Sequence, residues 1–159
     1  MKTFITFLIT ILTFGLNSAH AAINSWEQIQ NPGQAVYEIE DTAGNGLSIN
    51  CDTETANRKF YGRMVWYYGE PVGATNAEDN TMDIVVNGKT YNIPTVDGSD
   101  KAEHAWVAFV NAIGNAKTFS VSINGNDAAN FTVEGDRLSE TFFQNCGHTR
   151  PNKISINLF

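Results

Sequence analysis

Basic residues are scarce in this sequence. Ten Lys and Arg stand against seventeen Asp and Glu, a net charge of −7 with histidine neutral. Nucleic-acid binding needs Lys and Arg to meet phosphates, so the balance argues against it. It argues equally against an anionic membrane surface. Cysteine occurs twice, as Cys51 and Cys146, with no CxxC pair, which speaks against a thiol redox enzyme. Histidine occurs three times, too few beside two cysteines to suggest zinc. No GxSxG or SxxK signature marks an activated serine. The chain shows no repeat of 20–50 residues and no Ser/Pro-rich linker. Beyond the N-terminus there is no long apolar run.

That N-terminal run has the three parts of a secretory signal: Lys2, the apolar stretch from Phe4 to Leu16, and the small residues of Ala19-His20-Ala21. The run is shorter than the ~20 apolar residues of a membrane span, and no basic cluster follows it. Residues 1–21 are therefore expected to be a cleaved signal peptide. Residues 22–159 would form a single periplasmic or secreted domain, with no membrane span once the signal is removed. The mature chain then carries nine basic and seventeen acidic residues, a net −8. Such a charge suits solubility and a basic protein partner. Export places Cys51 and Cys146 in an oxidising compartment, so a disulfide between them is expected. By chain entropy, a loop of that length is stabilised by about 4–5 kcal/mol at most.

Strand patterns dominate the remainder. Ala35–Glu40 and Gly46–Cys51 read as a hairpin across the Asp41–Gly46 turn. Phe60–Tyr68 is apolar on both faces and predicts a central strand covered on each side. Glu70–Asn80 reads as a polar loop. Asn87-Gly88 predicts a type I′ turn that pairs Ile84 with Tyr91 and Met82 with Ile93. Residues 101–113 have helical period, with Ala102, Ala105, Trp106, Phe109, Val110 and Ile113 on one stripe. Asp100 and Glu103 are placed for a capping box, and Gly114 for a left-handed stop. Thr118–Ile123 and Asn130–Val133 predict a second hairpin, whose matching faces require an odd-numbered loop such as Asn124–Ala128. Asp136 is expected to cap a short helix carrying Leu138, Phe142 and Cys146, ended by Gly147, and Lys153–Leu158 a final strand. The expected fold is mainly β (α+β). It is an antiparallel β-sandwich or curled sheet of about seven strands, with two short helices and one disulfide.

The segment Phe131-Thr132-Val133-Glu134-Gly135, followed by Leu138, Phe142 and Cys146-Gly147, resembles the end of some secreted Gram-negative β-rich domains. They include the type VI secretion-associated periplasmic accessory family and the invasion-associated locus B family. The resemblance implies an envelope accessory or binding protein and carries over no functional residue.

Candidate chemistry is thin. His104 lies off the apolar stripe of its helix, and His148 follows a helix end, where an imidazolium meets the dipole favourably. Glycoside hydrolysis needs only two carboxylates, for which Glu38, Glu40, Asp41, Glu70, Glu78 and Asp79 are available. The acidic stretches Asn76–Asn80 and Asp97–Glu103 lack the calcium-loop layout. Asn130-Phe131-Thr132 matches a glycosylation triplet but falls in a predicted strand. Trp66 and Trp106 read as core, leaving Trp26 free. No catalytic residue, metal or cofactor is assigned. The expected function is a non-enzymatic protein-binding module, of inhibitor or immunity type, with Glu70, Glu78 and Asp79 as partner-binding residues. An envelope-glycan hydrolase and an accessory component of a secretion or surface assembly are the alternatives.

Overall fold

A computed structural model describes residues 22–52, 63–70, 72–76, 79–93 and 100–147. The expected signal peptide, His148 and the expected strand Lys153–Leu158 lie outside the described residues. Two antiparallel sheets account for most of what is described. The first has five strands in the order β1-β2-β3-β4-β5: Glu27–Asn31, Gln34–Glu40, Gly46–Asp52, Met64–Gly69 and Gly73–Asn76. The second has four in the order β7-β6-β8-β9, with β6 Met82–Val86, β7 Lys89–Asn92, β8 Thr118–Ile123 and β9 Asn126–Thr132. Helices α1, Asp100–Gly114, and α2, Glu140–Cys146, complete the order. The protein is mainly β, with nine strands among the described residues. The two unforeseen strands are β1, whose alternation is masked by Glu and Gln at an edge, and β5, within the expected polar loop.

One hydrophobic core joins both sheets and both helices. Alternate residues supply it, because successive side chains of a strand point to opposite faces. Tyr37 and Ile39 of β2, Leu47 and Ile49 of β3, and Val65 and Tyr67 of β4 come from the first sheet. Met82, Ile84, Phe119, Val121, Ile123 and Phe131 come from the second. Phe119 and Phe131 pair across β8 and β9 with stacked rings, centroids 4.8 Å apart. Trp26, expected to be free, also stacks with Phe119, with centroids 6.0 Å apart.

Turn chemistry sets the registers. Asn87 and Gly88 both have positive φ, 51° and 77°, and Ile84 pairs with Tyr91 as the type I′ turn requires. Beyond the strand end, the Ile93 N–H donates to the Met82 carbonyl at 2.9 Å. The β8–β9 connection differs from expectation. It is a second two-residue turn, Asn124-Gly125, with φ 51° and 79°. The parity problem is solved by a bulge instead: Ser122 pairs with Asp127, but Val121 pairs with Ala129, leaving Ala128 as the extra residue. Asp41 holds the β2–β3 turn, its carboxylate accepting from the Ala43 and Asn45 backbones and the Asn45 side chain, each at 2.8 Å.

The helices show four corrections. In α1 the buried stripe runs through Glu103, Trp106, Phe109, Val110 and Ile113, while Ala105 is exposed and Ala102 half-buried. Asp100 is the first helical residue, so the capping position falls outside the described residues. Gly114 does not adopt positive φ. A Cβ there would sit 2.6 Å from Phe143 Cζ, so glycine is required for the approach of α2. Helix α2 begins at Glu140 after Ser139, four residues beyond Asp136, with Leu138 buried ahead of it.

Cys51 of β3 and Cys146 of α2 form the disulfide, with Cα atoms 5.3 Å apart and both residues fully buried. Trp106 Nε1 donates to the Cys146 carbonyl at 2.8 Å. Tyr37 meets Phe142 edge-on at 4.9 Å, and its hydroxyl accepts from Asn145 Nδ2 at 2.9 Å. Replacing both cysteines by alanine is expected to lower unfolding free energy by about 2–5 kcal/mol, measured by urea titration. Trp106 fluorescence should report the loosening of α2 at lower urea than the loss of strand circular dichroism.

Candidate functional site

The face of the five-stranded sheet that points away from the core is built by the same alternation that fills the core. On β4, Val65 and Tyr67 are buried inward, so Met64, Trp66 and Tyr68 face out, each half-buried. Trp66 was expected in the core on a strand covered on both sides; this second side is only partly covered. Across the ladder, Tyr68 stands opposite Gly46, Trp66 opposite Ser48, and Met64 opposite Asn50. One strand further, Gly46 pairs with Glu40, Ser48 with Glu38, and Asn50 with Val36. On the other flank, Trp66 pairs with Asn76 and Tyr68 with Ala74 of β5. The result is an aromatic row on β4, small polar residues on β3 and an acidic row on β2.

No lysine or arginine occurs in any of the five strands. Glu27, opposite Glu38, extends the acidic row to the edge. Gly46 is essential to this surface, because a Cβ there would fall 1.7 Å from Tyr68 Cζ and 2.2 Å from its hydroxyl. The phenol thus lies across β3 toward the acidic strand. Burial raises the Tyr68 pKa above its ordinary 10.0, and the charges of Glu38 and Glu40 raise it further. Ser48, the partner of Trp66 in the ladder, is only 5% exposed, and its hydroxyl donates to Asn50 Oδ1 at 3.0 Å.

The residues singled out from sequence are dispersed. Glu70 follows β4, exposed, with its carbonyl accepting from the Tyr67 hydroxyl at 2.9 Å. Asp79 is exposed after β5, and its carboxylate accepts from Asn76 Nδ2 at 3.0 Å. Glu78 lies outside the described residues. Asp41 is committed to its turn. His104 is exposed on α1, as its place off the stripe implies. Among the described residues no cluster of three or more His, Cys, Asp or Glu is arranged to hold a metal, and no helix is long and apolar enough to cross a membrane. A shallow concavity of about 300 Å³ lies on the four-stranded sheet, between the Asn87-Gly88 turn and the Thr118–Ser120 and Asn130–Thr132 strand ends. None of its lining residues is a carboxylate or histidine.

A family model described as YfjT matches residues 24–137, more than half of the chain. The chain belongs to the YfjT family. The match spans both sheets and α1 and stops before α2 and Cys146. Two relatives from Escherichia coli strain K12 are similar to this chain. The uncharacterized protein YkfB is 26% identical over 119 residues, 74% of this chain and 77% of its own length. The uncharacterized protein YfjT is 25% identical over 130 residues, 80% of this chain and 84% of its own. No solved structure matches the chain.

The acidic-aromatic face was within reach of the sequence. Gly46, Ser48 and Asn50 share one face of β3, and this run of small residues sets it apart from the apolar inward face of Leu47 and Ile49. Two outcomes test this geometry. Tyr37, Tyr67 and Tyr68 all have raised pKa values, with burial the first cause in each. Their folded values exceed the unfolded one, so this stabilisation is complete below pH 10.0 and is lost as pH rises through the folded values. Absorbance titration should show a late-ionising group of three. In Gly46→Ala one of the three should return toward normal as Tyr68 is displaced, with a stability loss of about 1–3 kcal/mol.

Proposed function

We propose that this chain is an exported, non-catalytic protein-binding module whose outer five-stranded face holds a basic partner. The observation that carries the reading is the half-buried Trp66–Tyr68 row beside Glu38 and Glu40, on a sheet without a single Lys or Arg. Aromatic side chains offer large contact area at low entropic cost, and an acidic surface steers a cationic protein into place. A buried disulfide suits an oxidising compartment. Glu38 and Glu40 sit two apart on one strand of a sheet face, and the concavity elsewhere brings no pair of carboxylates together. Those features favour binding over glycan hydrolysis. An inhibitor or immunity role is the form such binding takes when the partner is an envelope or secreted effector.

The test is affinity capture from envelope and culture-supernatant fractions, followed by kinetics with the recovered partner. Glu38→Lys combined with Glu40→Lys should slow association by about tenfold or more at low salt and flatten its salt dependence. The pair Glu78→Lys and Asp79→Lys, in the acidic loop, provides the contrast. If only the loop pair slows association, the partner docks at the loop and the sheet face is not the site.

A further inference from the structure

We infer that Asn87 is a modification site: its side-chain amide is lost by cyclisation onto Gly88, leaving aspartate or isoaspartate in the β6–β7 turn. The reaction is open to an asparagine followed by glycine, which has no side chain to hinder attack by its own nitrogen. Three such pairs occur here, Asn45-Gly46, Asn87-Gly88 and Asn124-Gly125. The fold treats them differently. Asn45 is held by Asp41, its Nδ2 donating to the carboxylate at 2.8 Å, and Gly46 is buried in the central strand β3. Asn124 is tied at both ends of its amide. Its Oδ1 accepts from the Thr81 N–H at 3.1 Å, and its Nδ2 donates to Asn80 Oδ1 at 2.6 Å. Asn87 and Gly88 are both exposed, and among the described residues the Asn87 amide has no hydrogen-bond partner. A Cβ built on Gly88 would meet nothing within 4 Å, so open space surrounds the attacking residue.

Cyclisation needs the Asn87 carboxamide carbon to swing onto the Gly88 nitrogen, which the turn permits by opening. Strand β7 has four residues and lies at the edge of its sheet beside β6, so that opening breaks few ladder bonds. Solvent base takes the Gly88 N–H proton. The nitrogen then bonds to Asn87 Cγ, and the bond from Cγ to the side-chain nitrogen breaks, releasing ammonia. Water opens the succinimide ring so formed. Cleavage between the ring nitrogen and Cγ gives aspartate. Cleavage between that nitrogen and the Asn87 main-chain carbonyl gives isoaspartate, with the chain running through the former side chain. Nothing is oxidised or reduced. Asn87 also lines the shallow concavity on the four-stranded sheet, where none of the lining residues is charged. The product brings a carboxylate into that neutral lining. In its iso form it also adds one backbone carbon to a two-residue turn that sets the register of β6 on β7.

The experiment holds the purified, oxidised protein in mildly alkaline buffer and, in parallel, in the same buffer with concentrated urea and a reductant. Peptides from each time point are read by mass spectrometry for conversion of amide to acid. Electron-transfer fragmentation separates isoaspartate from aspartate. In the folded protein Asn87 should convert on the order of tenfold faster than Asn45 or Asn124, since each of those must first release hydrogen bonds. In urea the three rates should converge. Asn80→Ala removes one tether of Asn124 and should raise its rate severalfold while leaving that of Asn87 unchanged, in a variant whose circular dichroism matches the parent. Persistence of the Asn87 amide in the folded protein, conversion of Asn45 or Asn124 as fast as Asn87 there, or the same ranking in urea would each overturn the inference. So would an Asn124 rate unmoved by Asn80→Ala.

Discussion

The bond between Cys51 and Cys146 holds in place a helix that could not hold itself. Seven residues are too few for an isolated helix to persist in water, and the Ser139 side chain makes no capping hydrogen bond. What keeps α2 folded is tertiary. The disulfide ties its end to β3, Trp106 donates to its last carbonyl, and Phe142 packs edge-on against Tyr37. Each contact comes from a different element, so α2 is the point where β2, β3 and α1 are registered on one another. Gly114 belongs to the same arrangement, since a larger residue would hold Phe143 off the end of α1.

The same β3 strand that receives this clasp on its inner side presents Gly46, Ser48 and Asn50 on its outer side. Inner and outer faces are thus mechanically linked through one seven-residue strand. The rigidity of the core positions the aromatic row: Val65 and Tyr67 are fully buried, which fixes the pleat and aims Trp66 and Tyr68 outward. A binding surface carried on a central strand loses less freedom on docking than one carried on a loop. For the proposed binding role, that is the physical argument for the sheet face over the acidic loop.

Much of this architecture was legible in the residues, because it rests on local rules. Asn87-Gly88 dictates its turn, and the period of Trp106, Phe109, Val110 and Ile113 dictates a helix. The faces of Phe119 and Phe131 dictate a pairing, and two cysteines behind an expected export signal point to a bridge. What escaped depends on the other side of a contact. Glu103 replaces Ala102 and Ala105 on the buried side of α1, a matter of what α1 packs against. β1 and β5 carry few apolar residues because they lie at the edges of the sheet, so neither alternates strongly enough to register. The outer aromatic face was misread because Trp66 and Tyr68 look like core when the strand is considered alone. In the structure both are half-buried, paired with Ser48 and Gly46 of β3. The parity of the β8–β9 hairpin was read correctly and its solution was not, since a bulge and an odd loop satisfy the same faces equally well.

That bulge gives the hairpin a neutral point for change in chain length. A strand normally cannot lose or gain one residue without turning every later side chain to the opposite face. Here Ala128 is the unpaired residue, so deleting it would restore a regular ladder from Ile123 to Phe119 while Phe131 and Ala129 kept their inward orientation. An insertion or deletion elsewhere in β8 or β9 would expel the stacked phenylalanines into water. Related chains should therefore vary in length at this one position of the hairpin, and hold their spacing constant on either side of it.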